Sequence, residues 1–138
     1  MNGRDDPLPP LVRRHFTAPR HAGEPGAAAT GAAAAMLVAG EAGAREQGTW
    51  IRLSLRLAAG RIVAAAFQAY GCPYTLATCD WLAGRLADRP LADPGLGGPR
   101  DWAQALGVPE QRLARLLVLE DALQAALRNA RPDGYNSA

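Results

Sequence analysis

The chain has 138 residues, 49% of them hydrophobic and 20% charged, with a formal net charge of +2. That length makes one domain able to bury about two-thirds of its unfolded surface, so it can fold without a metal or disulfide staple. Two cysteines make no disulfide framework, no apolar run reaches membrane length, no signal-peptide pattern is present and the basic residues, all Arg, are dispersed, so a reduced, cytoplasmic protein with neither membrane nor nucleic acid as partner is expected.

Residues 1–9, with Gly3, Asp5, Asp6, Pro7 and Pro9, read as a disordered lead-in. A short helix is predicted over 10–16, with proline at its start and Leu8, Leu11, Val12 and Phe16 on one face. Residues 17–26 hold Pro19, Gly23, Pro25 and Gly26 and read as turns. Alanine dominates 27–48 and favours helix, yet Met36-Leu37-Val38 is a short apolar run bounded by glycines. A short β segment or a loop is expected there.

Trp50 to Leu57 alternates strictly. Ile51, Leu53, Leu55 and Leu57 face one way, and Arg52, Ser54 and Arg56 the other, which marks a strand with one wet face. Ala58-Ala59-Gly60-Arg61 is the turn, and 62–70 return as the second strand of an antiparallel hairpin. A helix is predicted over 73–88, with an apolar stripe of Leu76, Cys79, Leu82, Ala83 and Leu86. Three prolines and three glycines make 89–99 a loop. A short helix over 100–106 stops at Gly107, and a long one runs from Pro109 to about Ala130. The apolar face of the long helix carries Leu113, Leu116, Leu117, Val118, Ala122, Leu123, Ala126 and Leu127. Residues 131–138 read as a flexible tail. The predicted class is α+β, a small antiparallel sheet with helices packed on one face, and the domain spans 10–130.

The chemistry concentrates at Tyr70-Gly71-Cys72-Pro73, where the second strand turns into the next helix. A cysteine there sits at the positive end of the helix, where amide groups stabilise a thiolate able to bind metal or accept sulfur. Cys79 lies two turns on, about 10 Å away along the helix, too far to share one zinc ion with Cys72. It also falls in the apolar stripe and is read as core. His15 and His21 are read as packing or surface residues, and Asp80 and Asp88 as members of a wet helix face. Glu120 and Asp121 point about 100° apart and form no acid–base couple. No nucleophile elbow, phosphate-cradling glycine motif or metal-hydrolase histidine pair is present, so an enzyme is not expected.

Three ordered segments carry a family resemblance. Val12 to Gly23 offers a His-aromatic, Pro-Arg, Gly pattern, Phe67 to Cys72 a strand into a Gly-Cys turn, and Leu119 to Leu127 a Glu-Asp-Ala helix. In order and spacing they resemble the IscU/NifU N-terminal family of iron–sulfur cluster assembly scaffolds, over residues 11–130. The resemblance implies an IscU/SufE-like fold. It also implies a 2Fe–2S cluster or zinc held by three cysteines with an Asp and a His. A cysteine desulfurase as sulfur donor and apo iron–sulfur proteins as recipients follow from it too.

The departures fall on the ligands. The family's Cys-Gly-Asp turn is Gln47-Gly48-Thr49 here. Its His-Cys pair corresponds to Ala114 and Arg115, and its chaperone-recognition segment to Val108-Pro109-Glu110-Gln111-Arg112. Of the ligand set only Cys72 remains. The resemblance thus implies a scaffold-like protein whose lone Cys72 accepts sulfur or supplies one cluster ligand. A homodimer or a small thiol would then supply the rest, and Arg115 near Cys72 would favour the thiolate. The alternative is a pseudo-scaffold that binds the desulfurase or an apo-target without holding metal.

Overall fold

Alternating apolar and polar side chains build the centre of the molecule. In a computed structural model, described over residues 7–25 and 36–130, β2 (Thr49–Ala58) and β3 (Arg61–Tyr70) form the expected antiparallel hairpin. Ile51, Leu53 and Leu55 are fully buried, and Leu57 nearly so. A bulge between Arg56 and Leu57 shifts the register, so Arg56 faces Ala64 while Leu57 faces Ile62. The extra residue, Val63, lets the strand bend near its turn.

The undecided stretch before the hairpin resolves into a full strand. β1 (Met36–Ala44) pairs antiparallel with β2 along its whole length. The glycines that weaken its strand signal serve contact: Gly40 lies against α4 (Leu113–Ala130), where a methyl group would overlap the backbone of Ala122 and Ala126. The loop expected over 89–99 contains a two-residue strand, β4 (Arg89–Pro90), that pairs with the start of β3. The sheet order is β1-β2-β3-β4. The segment 21–23 bridges the β3 edge at Phe67, with the Phe67 N–H donating to His21 O and the Gly23 N–H to Phe67 O.

The helices follow the α+β expectation. α4 packs on β1 and β2, and α2 (Pro73–Leu86) on β3. α1 (Pro10–Thr17) and α3 (Pro99–Leu106) stack on these helices. Val12 of α1 is fully buried, but Leu11 and Phe16, expected on the same face, are exposed. In α4 the same kind of exchange occurs: Leu117 is exposed and Leu119 is buried. The long helix also starts later than predicted, because Pro109 first caps a single 3-10 turn, Glu110–Arg112.

Asp80 requires a correction. It does not sit on a wet helix face; it is fully buried. α2 is covered by β3 on one side and α1 on the other, so it has almost no wet face. Asp80 Oδ1 accepts the backbone N–H groups of Arg20 and His21, each at 2.8 Å, and Oδ2 contacts His15 Nδ1 at 2.6 Å. One carboxyl group thus ties α1, the 20–23 segment and α2 together. No described helix is long and apolar enough to cross a membrane. Most of the expected lead-in, residues 1–6, and the expected tail, 131–138, lie outside the described residues, as do 26–35.

Candidate functional site

β3 ends at Tyr70, Gly71 and Cys72 make the bend, and Pro73 opens α2. Proline at the first helical position loses no hydrogen bond, so the helix begins there and leaves Cys72 as its N-cap residue. The Cys72 carbonyl accepts the Leu76 N–H at 3.0 Å. The thiol is half-buried. Thr75 Oγ1 stands 3.4 Å from the sulfur. Gly71 leaves room for that contact, because a methyl group there would meet Thr75 Cγ2 at 3.0 Å.

Several influences act on the Cys72 thiol. Partial burial is the largest, and it opposes ionisation. The Thr75 hydroxyl, the Thr75 and Tyr74 amides and the Arg112 guanidinium together outweigh it, so the thiol is held below its ordinary pKa. Arg112 stacks over Tyr74, its guanidinium carbon 5.7 Å from the ring centroid. Arg115, the cation expected beside the thiol, instead donates from Nη1 to Thr49 Oγ1 at 3.2 Å. Arg112, at the end of the 3-10 turn, meets Tyr74 of α2, whereas Arg115, in the first turn of α4, meets Thr49 of β2. Cys79 behaves as read: it is fully buried, and burial together with the neighbouring Asp80 pushes its thiol far up.

The four replaced ligand positions do come together. Gln47, Thr49, Ala114 and Arg115 line one open cleft of about 320 Å3, along with Gln111 and Val118. Gly48, in the left-handed region with φ 92°, turns the chain from the Arg45–Gln47 3-10 turn into β2. Cys72 is not among the lining residues. An amide, a hydroxyl, a methyl and a guanidinium replace thiolate, carboxylate and imidazole. Iron and zinc take S, N and carboxylate donors, and a fixed guanidinium repels a cation, so these four residues do not fit a metal or a cluster. Among the described residues no three His, Cys, Asp or Glu side chains are grouped to hold a metal ion.

Sequence reasoning missed Thr75, Gln111 and Arg112. Thr75 was within reach, since a residue three after a helix N-cap returns to it. Both Gln111 and Arg112 come from the 3-10 turn before α4: Arg112 reaches Tyr74 beside Cys72, and Gln111 reaches the cleft, contacts that only the packing of that turn creates.

The fold has known counterparts. No curated protein matches the chain. The solved structure of a "putative iron-sulfur cluster assembly scaffold protein for SUF system" from Fervidobacterium islandicum AW-1 superposes with a TM-score of 0.59, at 14% identity over 85% of this chain and 93% of that one. A second solved structure, a hypothetical protein, gives 0.53, at 17% identity over 83% and 95%. At such identities the likeness shows a shared α+β fold. The family model of the NifU-like N terminal domain matches residues 10–132, which is nearly the whole described chain. The chain therefore belongs to the NifU-like N terminal domain family of iron–sulfur cluster assembly scaffolds.

Proposed function

We propose that this protein is a non-enzymatic, scaffold-like member of an iron–sulfur assembly system and that Cys72 is its one working sulfur. The carrying observation is a half-exposed thiol held below its ordinary pKa at the N-cap of α2. Family membership supplies the context, and the ligand-poor cleft favours sulfur acceptance over metal holding. In the step proposed, the Cys72 thiolate attacks the outer sulfur of a donor persulfide, as supplied by a cysteine desulfurase. A new S–S bond forms at Cys72 Sγ, the donor S–S bond breaks, and the donor leaves as a thiolate. The terminal sulfur keeps its proton, so no external oxidant or reductant is needed. Thr75, the helix amides and Arg112 stabilise the attacking thiolate.

The test is a persulfide-transfer assay with a cysteine desulfurase, together with anaerobic reconstitution with iron and sulfide. Labelled persulfide on wild-type chain and none on Cys72→Ser supports the reading. No label on either protein and no cluster would end it. The loss of metal-binding side chains from the cleft favours a second reading, a pseudo-scaffold that docks a desulfurase or an apo-target. That reading expects Cys72→Ser to complement as well as wild type.

A further inference from the structure

We propose that the cleft between the start of β2 and the start of α4 is an anion site, taking a small oxyanion on Arg115. The proposal does not rest on Cys72, which lies outside the cleft lining. Among the described residues no acidic side chain lines the cleft. Arg115 is half-buried in it and pairs with no carboxylate: the ion pairs among the described residues are His15–Asp80, Arg52–Glu41 and Arg100–Glu110. A partly desolvated cation with no counter-charge is costly to hold and gains from any anion that reaches it.

The guanidinium is also aimed. Thr49, itself buried, accepts from Nη1 and fixes the plane of the fork, which leaves its other N–H groups for a ligand. That planar fork matches two oxygens of a carboxylate, sulfate or phosphate. Gln47 and Gln111 line the same cleft and carry neutral amide donors. A volume of about 320 Å3 leaves ample room for an anion of a few heavy atoms. Gly43, with φ 81°, also lines the cleft, where a side chain would collide with the Thr49 carbonyl and Val118. The same donor set that rejects iron and zinc accepts negative oxygen.

The experiment is a nuclear magnetic resonance titration of the full chain with sodium sulfate, sodium phosphate or sodium acetate, against sodium chloride at matched ionic strength. Saturable amide shifts confined to Gln47, Gly48, Thr49, Gln111 and Arg115 are expected. A tighter response to acetate assigns a carboxylate ligand, and a tighter response to sulfate or phosphate a tetrahedral oxyanion. Arg115→Gln is expected to weaken binding by about tenfold or more, as loss of a charge-assisted bond implies. Gln47→Glu places a competing carboxylate in the cleft and is expected to abolish the response with the spectrum otherwise preserved; it decides the matter if Arg115→Gln does not fold. Equal binding by wild type and both variants would overturn the proposal. So would shifts scattered over Arg13, Arg85 and Arg100, or a saturable response of the same five amides to zinc chloride.

Discussion

The two cysteines stand seven residues apart on one helix and are chemically opposite. Cys72 is favoured as a thiolate by Thr75, the Thr75 and Tyr74 amides and Arg112, against its partial burial. Cys79 is sealed in the core and pushed far up. Iodoacetamide is expected to label Cys72 alone in the folded chain. The labelling rate of Cys72 should reach half its maximum below the ordinary thiol pKa of about 8.5. Thr75→Val removes the leading stabilising group and should move that midpoint upward, as read by mass spectrometry across pH. A midpoint unmoved in Thr75→Val would refute the assignment. The linkage signs also differ. A depressed folded pKa at Cys72 adds stability above the unfolded thiol pKa, and this is lost as pH falls through the folded value. A raised folded pKa at Cys79 adds stability that is present below the unfolded value and declines as pH rises past it. Cys79→Val should therefore flatten the alkaline loss of stability, whereas Cys72→Ser should not.

Asp80 is the other residue whose environment decides its role. Removing its carboxyl strands two partly buried backbone N–H groups and frees His15 from α2. Each orphaned donor costs about 1–3 kcal/mol, so Asp80→Ala is expected to lose roughly 3 kcal/mol in urea unfolding. Asp80→Asn keeps an acceptor for the two amides and should lose less. If the two variants unfold together with wild type, the carboxyl does not hold these elements.

At the scale of elements, the close approach of β1 to α4 is set by a glycine. A methyl group at Gly40 would collide with helix backbone, which cannot rotate away as a side chain can. Gly40→Ala is expected to cost about 3 kcal/mol, the upper end for overpacking, and to loosen α4. Gly60, in the β2–β3 turn with φ 75° and open space around it, is the control. Gly60→Ala should cost only about 1 kcal/mol, from the left-handed backbone alone. Hydrogen exchange on α4 amides separates the two: faster in Gly40→Ala, unchanged in Gly60→Ala. The hairpin was legible because alternation over Trp50–Leu57 is a local signal. β1 was only half legible, since its small residues answer to a helix more than 70 positions away. The burial of Asp80 was not legible, because the stripe on α2 says which face meets the sheet and nothing about α1 covering the other. The site followed the same division. The Gly-Cys-Pro turn gave Cys72 its place, but which arginine reaches it depended on how the 3-10 turn Glu110–Arg112 enters α4.

Over the whole molecule, the core and the candidate sites are separate structures. Leu53, Leu55, Leu82, Leu86, Trp102, Leu116 and Leu119 fill the layer between sheet and helices, each 2% exposed or less. Burial of each such side chain contributes about 1.5–3 kcal/mol, and none of them belongs to the cleft or touches the Cys72 turn as a ligand. A domain with such a core has a source of folding energy besides metal, unlike small domains in which metal binding is itself the folding energy. A metal bound to the native state at a hundred times its Kd would add about 2.7 kcal/mol, or roughly 9 °C in a chain of this size. The thermal midpoint of the purified chain is therefore expected to stay within about 1 °C on addition of EDTA, since the cleft donors do not suit a cation. A drop of several degrees that zinc restores would show that the chain holds metal through donors other than those in the cleft. The same scan on Cys72→Ser would then say whether Cys72 is one of them: an abolished EDTA response assigns it as a ligand, and an unchanged response leaves sulfur acceptance as its role.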